Sequence, residues 1–174
     1  IENYMAAIAL VEGLATDDAI RQVARNFGGV EHRIELVRVK DGVRYYNDSI
    51  ASSPSRTIAG LRSFPEKVIL IAGGYDKHIP YDVLGPEICA HVKKLFLGGA
   101  TGPKIRAAVE NAPAYRPGMP EIVDCGDFTK ATLAAAQAAE PGDVVLMSPA
   151  SAAFDQFKNF MVRGQYFKKL VKEL

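Results

Sequence analysis

The sequence predicts an α/β fold, in which a Rossmann-like, mostly parallel sheet carries helices on both faces and follows a short helical segment and a β-hairpin. Two observations carry this prediction. Val68–Ala72 is an unbroken apolar run that ends in two glycines, as expected of a strand buried on both faces. From that run onward, strand-like runs alternate with helical stretches, which calls for parallel strands joined by right-handed crossovers.

Two helices are predicted before residue 30. Asn3–Gly13 and Thr16–Phe27 have apolar residues at helical spacing, and Thr16 is suited to cap the second helix. Gly13 and Gly28 are natural helix ends. The pair is more typical of the end of a preceding domain than of the start of a new one, so we expect the chain to be a fragment of a longer protein.

A β-hairpin and a polar run come next. Glu31–Val39 and Val43–Asn47 predict the two strands of the hairpin, and Lys40-Asp41-Gly42 supplies the turn. The run Asn47–Ser53 precedes Pro54 and a short predicted helix over residues 55–61. The side chains of residues 47–49 are able either to cap that helix or to take part in a site, and the residue pattern leaves both interpretations open.

The remaining elements alternate regularly. After Val68–Ala72, strands are predicted at Lys94–Leu97, Glu121–Asp124 and Asp143–Met147, with helices at Tyr81–Val92, Pro103–Asn111 and Asp127–Ala139. Because the carboxyl ends of parallel strands meet at one edge of a sheet, Gly73–Lys77 and Ser148–Ser151 should lie there together.

The last segment, Phe154–Leu174, is predicted as an amphipathic helix. In this helix, Phe154 and Phe160 are expected in the core, and Arg163 is expected to face water together with the lysines. Gly164 interrupts the pattern, which indicates a bend or close packing.

Composition excludes several classes of function. The chain has 174 residues and a formal net charge of +1, which fits an ordinary domain and gives no electrostatic case for a nucleic-acid partner. No apolar run predicts a transmembrane helix or a signal segment, so we expect no membrane insertion and a cytoplasmic location. Cys89 and Cys125 are interpreted as buried small residues. His32, His78 and His91 are interpreted as lacking the neighbours that a metal site needs, so no metal ligands are expected.

Four stretches of the chain together resemble the Mur ligase family. They are EHRIE at Glu31–Glu35, YNDSIASSPSRTIAGL at Tyr46–Leu61, VILIAGGYDK at Val68–Lys77 and MSPASAAFDQFKNFMVRG at Met147–Gly164. The last is the most specific, and the resemblance spans essentially the whole chain. It implies that residues 1–29 are the closing helices of the family's central ATPase domain and that residues 30–174 are its C-terminal, amino-acid-binding domain.

The resemblance also implies an activity, which is an ATP-dependent, peptide-bond-forming step of peptidoglycan synthesis. In that step D-glutamate is added to UDP-N-acetylmuramoyl-L-alanine through an acyl phosphate, with ATP and magnesium as cofactors. In the family the phosphate loop and the magnesium ligands lie in the central domain, and the glycine-rich turn at residues 98–102 matches neither phosphate-loop pattern. We therefore expect this chain to hold no catalytic residue, to be inactive alone and to be monomeric.

Binding residues follow from the same resemblance. For ATP, Asn3 would contact adenine, Arg33 the phosphates and Asp48 the ribose. For D-glutamate, the matching positions are Ser52, Lys77, Ala153, Phe154 and Phe160. Lys77 would pair with a substrate carboxylate. Ala153 stands where the family often has a serine that binds the substrate carboxylate, so Ser148, Ser151 or a backbone amide would have to compensate.

The strand and helix pattern alone leaves a second class open. A non-catalytic nucleotide- or small-ligand-binding α/β domain would alternate in the same way. The combination of Lys77 with the Ser148–Phe160 segment favours the ligase, because a simple binding module has no need of both. A dinucleotide-dependent dehydrogenase is less consistent with the sequence, since no glycine fingerprint follows the first strand.

Overall fold

The computed structural model describes residues 2–174. The chain divides into two compact units, and the boundary between them in the sequence lies between Val30 and Glu31. The first unit holds α1 (Glu2–Leu10) and α2 (Asp17–Asn26). Thr16 caps α2 as predicted, because its hydroxyl accepts a hydrogen bond from the amide of Ala19. The assignment of residues 1–29 to a separate ATPase domain stays a prediction.

The second unit is built on a six-stranded sheet with the order β1-β2-β6-β3-β4-β5. Its strands are β1 (Glu35–Lys40), β2 (Val43–Asn47), β3 (Val68–Ala72), β4 (Val92–Gly98), β5 (Glu121–Gly126) and β6 (Val144–Met147). Its helices are α3 (Pro54–Leu61), α4 (Leu84–His91), α5 (Gly102–Glu110), α6 (Phe128–Gln137) and α7 (Phe160–Glu173). β1 pairs antiparallel with β2, and the other neighbouring strands are parallel. The predicted fold class is confirmed.

The core consists of two layers, one on each face of the sheet. Leu70 of β3 belongs to the layer covered by α3, α4 and α5, whereas its neighbour Ile71 belongs to the layer covered by α6 and α7. Successive side chains of a strand point to opposite faces, so a strand covered on both faces is apolar throughout. All five residues of β3 are buried, which is the pattern that the run Val68–Ala72 predicted.

The strand order creates a crevice at the carboxyl edge of the sheet. β6 lies between β2 and β3, although β2 and β3 follow each other in the chain. The helix after β3 is α4 and the helix after β6 is α7, and these helices belong to opposite faces. The chain therefore leaves two neighbouring strands in opposite directions, and ligands of open α/β sheets bind at such a switch point.

The final helix is shorter than predicted. α7 begins at Phe160, where Asn159 caps it by accepting a hydrogen bond from the amide of Val162 at 2.9 Å. Residues 154–159 instead form turns, and Phe154 is 63% exposed, so its expected place in the core is wrong. The aromatic residues keep helical spacing through this loop, but without a helix they do not share one buried face. Phe160 is half-buried.

The two cysteines, both expected to be buried, differ in exposure. Cys89 is buried as expected, but Cys125 is only half-buried, because it lies on the edge strand β5.

None of the helices formed by residues 2–174 combines the length and the apolar character that crossing a bilayer requires.

Candidate functional site at the carboxyl edge of the sheet

Four buried polar residues lie at or beside the carboxyl end of β2, and we call them the β2 cluster: His32, Asn47, Asp48 and Ser49. The side-chain oxygen of Asn47 accepts a hydrogen bond from the amide of Ser49 at 3.1 Å, so its nitrogen faces His32 Nδ1 at 2.9 Å. Because that nitrogen donates, Nδ1 of His32 is the acceptor and the imidazole proton lies on Nε2. The cluster is thus fixed in one hydrogen-bonding arrangement.

The β2 cluster does not cap the following helix. The N-cap residue of α3 is Ser53, whose side chain makes no capping hydrogen bond. The side chains of the cluster are directed to other segments instead, since Ser148 donates to Asp48 and Ser49 donates to the carbonyl of Phe160 at 2.7 Å. Of the two interpretations left open by the sequence, helix capping is excluded for these residues.

Asp48 has an unusual carboxyl group. It is 4% exposed, and burial raises its pKa from 3.8 to about 6. The hydroxyl of Ser148 donates to it at 2.7 Å, and the positive charges of Arg33 and Arg56 lie close enough to favour its ionised form. Arg33 itself is exposed and makes no ion pair or side-chain hydrogen bond within residues 2–174. The structure therefore brings Arg33 and Asp48, both predicted to bind ATP, to one place.

The segment Gly73–His78, which we call the β3 loop, follows the central strand. Gly73 and Gly74 have φ angles of 111° and 150°, and a Cβ atom on Gly73 would lie 1.9 Å from the carbonyl oxygen of Gly98. Only glycine fits this close approach. Lys77 is exposed and forms no salt bridge with any residue that the structure describes. The ammonium group of Lys77 therefore lies at the carboxyl edge of the sheet without an ion-pair partner among the described residues.

Asp76 fixes the turn that presents Lys77. Its carboxylate accepts hydrogen bonds from the amide of His78 at 2.8 Å and from the ammonium group of Lys104 at 2.6 Å. The hydrogen bond from Lys104 holds the pKa of Asp76 below its usual value. His78 has a φ angle of 57°, which the Asp76 contact helps to maintain.

The segment Ser148–Asn159, which we call the β6 loop, lies against the β3 loop. The amide of Tyr75 donates to the carbonyl of Ala152 at 2.9 Å, and the rings of Tyr75 and Phe154 meet edge to face with centroids 5.8 Å apart. Lys77, Ala153 and Phe154, all predicted to bind D-glutamate, are therefore in neighbouring loops.

Ser148 and Ser151, the two serines expected to replace the missing hydroxyl at position 153, already make hydrogen bonds within the protein. Ser148 donates to Asp48, and the hydroxyl of Ser151 lies 2.8 Å from that of Tyr81 and 2.7 Å from that of Thr101. Ala153 is buried, and its backbone amide donates no hydrogen bond to another residue in the described part of the chain. A backbone amide is thus the remaining candidate.

Arg163 joins the two sides of the crevice, and its predicted exposure is wrong. Its side chain is 1% exposed and donates to Ser49 Oγ and O, at 3.1 and 2.9 Å, and to the carbonyls of Ser151 and Ala152, at 3.0 and 3.1 Å. Burial lowers the pKa of this guanidinium to about 10. Its spacing from Phe160 and Phe167 places it on the buried stripe of α7, a signal that the sequence contained.

His32 lies closer to carboxylates than the sequence indicated. Potential ligand atoms of Glu31, His32 and Glu35 lie within 4.8 Å of one another. The ammonium group of Lys168 contacts the two carboxylates, at 2.9 Å from Glu31 and 2.5 Å from Glu35. This positive charge already neutralises the group, so the arrangement fits an ion-paired cluster better than a magnesium site.

The other predicted residues lie in different surroundings. Asn3 is exposed on α1 in the first unit. Ser52 is half-buried shortly after the β2 cluster, and Phe160 packs edge to face against His32. Sequence reasoning missed Tyr75 and Arg56, although both lie inside stretches that carried the family resemblance.

A mostly parallel sheet with polar groups gathered beyond β2, β3 and β6 is the arrangement at which open α/β domains bind their ligands. The sequence model of the "Mur ligase, glutamate ligase domain" matches residues 32–151, and the chain belongs to the Mur ligase family.

Among known proteins, the chain is 54% identical to a UDP-N-acetylmuramoylalanine–D-glutamate ligase of Acetivibrio thermocellus and 48% identical to one of Clostridium beijerinckii. Both comparisons cover 100% of this chain and 38% of the relative, so the chain spans less than half the length of these proteins.

Solved structures show the same fold at low identity. E. coli FolC in complex with ADP gives a TM-score of 0.68 at 17% identity, over 98% of this chain and 39% of that one. A UDP-N-acetylmuramoyl-L-alanyl-D-glutamate–2,6-diaminopimelate ligase gives a TM-score of 0.57 at 15% identity, over 98% and 38%.

Proposed function

We propose that this chain is the amino-acid-binding part of an ATP-dependent ligase that adds D-glutamate to UDP-N-acetylmuramoyl-L-alanine during peptidoglycan synthesis. The relatives named for these two substrates support the proposal, at 54% and 48% identity over the whole chain. The observation that carries it is the uncommitted Lys77 on a loop bonded to the segment of Ala153 and Phe154. Such an ammonium group beside free backbone donors suits a dicarboxylate.

In this proposal the β3 and β6 loops hold D-glutamate. Lys77 pairs with one carboxylate, and the backbone amide of Ala153 donates a hydrogen bond to it. The amide of Phe160 is a second donor, because the first amides of a helix have no partner within the helix. Phe154 forms an apolar wall with Tyr75, and the hydroxyl of Ser52 makes a further contact. These groups orient the amino acid so that its amine attacks an activated carboxyl group.

The β2 cluster and its neighbours hold ATP. Arg33 binds the phosphates, and Asp48 accepts hydrogen bonds from the ribose. The contact of Asn3, in the first unit, with adenine stays a prediction from the family resemblance. A pKa of about 6 leaves Asp48 mostly ionised at neutral pH, so that both of its oxygens are hydrogen-bond acceptors. ATP supplies the phosphoryl group that makes a carboxylate oxygen a good leaving group. We propose, as the family resemblance implies, that the magnesium ligands lie elsewhere in the enzyme.

The division of labour follows from the length of the relatives. We propose that residues 1–29 close the ATPase domain, that residues 30–174 rotate as a rigid body towards it, and that the hinge lies near residues 28–33. The chain alone would then be inactive. A cytoplasmic location and a monomeric state also stay predictions.

The proposal is tested by phosphate release from the whole ligase that carries this chain, supplied with ATP, magnesium and UDP-N-acetylmuramoyl-L-alanine. Release should depend on D-glutamate and not on L-glutamate. Lys77→Ala should raise the KM for D-glutamate by roughly 30-fold, the equivalent of about 2 kcal/mol for a charge-assisted hydrogen bond, and leave the KM for ATP unchanged.

Lys169→Ala is the matched control, because Lys169 is an exposed lysine on α7. It should leave both constants unchanged. Release with another amino acid would keep the ligase class but reassign the substrate. No release with any amino acid, together with retained ATP binding, would support a non-catalytic binding domain instead.

A further inference from the structure

The turn that carries Arg33 is strained on both sides. His32 and Ile34 have φ angles of 64° and 47°, in the left-handed region that residues other than glycine rarely adopt. For a β-branched residue such as Ile34, this conformation is a genuine outlier. Strained backbone persists only where the surrounding contacts enforce it, and it concentrates at functional sites. Something must therefore hold this turn.

Glu35 makes the contacts that hold it. One carboxylate oxygen accepts hydrogen bonds from the amide of His32 and from the side chain of Asn47, each at 3.0 Å. The other accepts from the ammonium group of Lys168 at 2.5 Å. The carboxylate of Glu35 thus connects the strained turn to the end of β2 and to α7. Arg33 takes no part in these bonds.

The rest of the packing leaves the turn little freedom. The carbonyl of His32 accepts a hydrogen bond from the amide of Ile50 at 3.2 Å, and its ring packs against Phe160. A Cβ atom on Gly164 would lie 2.2 Å from His32 Nδ1, so the imidazole occupies the space that only glycine leaves. The exposed guanidinium of Arg33 is therefore carried on a rigid support.

We propose that Glu35 is a positioning residue, which holds the strained turn so that Arg33 projects towards the nucleotide. This inference rests on the proposed role of Arg33 in binding ATP. Glu31 provides a matched comparison, because it also pairs with Lys168 but accepts no hydrogen bond from His32 or Asn47. The two glutamates share an ion-pair partner and differ in the contacts that fix the turn.

The test compares Glu35→Ala with Glu31→Ala in the whole ligase, because alanine removes the acceptor for the amide of His32 and the side chain of Asn47, which glutamine would keep. Glu35→Ala should raise the KM for ATP about tenfold while changing the KM for D-glutamate less than about twofold. Glu31→Ala should change neither constant by more than about twofold. Thermal unfolding of both variants separates a loss of stability from a loss of positioning, because weaker folding alone would not change one KM selectively.

The double variant decides whether Glu35 acts through Arg33. In an Arg33→Ala background, Glu35→Ala should add nothing to the KM for ATP, whereas independent effects would multiply. Equal effects of Glu35→Ala and Glu31→Ala, or multiplicative effects in the double variant, would overturn the positioning role. If Arg33→Ala alone leaves the KM for ATP unchanged, the role of Arg33 fails instead, and the two failures are distinguishable.

Discussion

The β2 cluster and the β3 loop lie at the same edge of the sheet, yet they are organised in opposite ways. In the cluster, His32, Asn47, Asp48 and Ser49 are buried, and their polar atoms are bonded to other protein groups. In the loop, Tyr75 and Lys77 are exposed, and the ammonium group of Lys77 has no ion-pair partner within the described chain.

This contrast indicates two ways of building a ligand site. A buried hydrogen-bonded network fixes geometry before the ligand arrives, because moving one member leaves its partner unpaired. An exposed lysine on a glycine-hinged loop costs little to reorient and takes its partner from the ligand. We therefore expect changes in the cluster to alter stability and geometry, and changes in the loop to alter affinity for one substrate.

The largest expected effect comes from removing Arg163, which joins the β2 cluster to the β6 loop, against which the β3 loop lies. Arg163→Leu removes the donors that bind the carbonyls of Ser49, Ser151 and Ala152, and buried carbonyls without partners cost free energy. The free energy of unfolding of the chain should fall by about 3 kcal/mol, measured by urea denaturation.

Arg62→Leu is the control for this substitution, because Arg62 is an exposed arginine just after α3. It should change the free energy of unfolding far less. A similar loss in both variants would mean that the buried bonds of Arg163 do not stabilise the fold.

The next prediction concerns the burial of Asp48. Its folded pKa of about 6 lies above the unfolded value of 3.8, so the folded state binds the proton more tightly. The cost of the buried charge is therefore absent below about pH 4, grows as pH rises, and is complete above about pH 6. Asp48→Asn removes it, and the variant should gain about 2–3 kcal/mol over the parent across that range.

The measurement is the difference in unfolding free energy between the two proteins from pH 4 to pH 7, which cancels the other carboxylates. A constant difference would show that the pKa of Asp48 is the same in the folded and unfolded states. A difference that shrinks as pH rises would show that its pKa is lowered.

The smallest expected effect sharpens the description of the amino-acid side. Ala153→Ser adds a hydroxyl beside the amide proposed to bind the substrate carboxylate, and one hydrogen bond contributes about 1 kcal/mol. The KM for D-glutamate should fall by about fivefold, with the KM for ATP as the internal control. An unchanged or increased KM for D-glutamate would mean that the backbone amide alone satisfies the carboxylate.

Much of the fold was predictable, because local patterns report burial directly. The run Val68–Ala72 is the strand that it predicted, with the same bounds. The start of α7 at Phe160 was not predictable from the spacing of aromatic residues. Phe154 lies in the preceding loop but has the helical spacing of the aromatic residues in α7. The N-cap residue Asn159 decides where α7 begins, although the apolar pattern continues on its N-terminal side.

Less of the candidate site was predictable. Family resemblance predicted binding roles for Arg33, Asp48 and Lys77. The structure adds that Asp48 is buried and bonded to Ser148, whereas Arg33 and Lys77 are exposed. The commitment of Ser148 to Asp48 joins residues 100 positions apart, and the pairing of Lys168 with Glu35 joins residues 133 positions apart. No pattern in a short window carries information about such contacts.

The sequence by itself determined the alternation of buried strands and helices and, through four motifs, the family. Those features depend on the periodicity of apolar residues and on local residue chemistry, which the chain displays before it folds. Only the tertiary structure decided which groups the guanidinium of Arg163 binds and that Lys168 pairs with both Glu31 and Glu35. The position of β6 between β2 and β3 allows the contacts of Arg163, because it brings the end of β2 and the β6 loop together although they are distant in the chain.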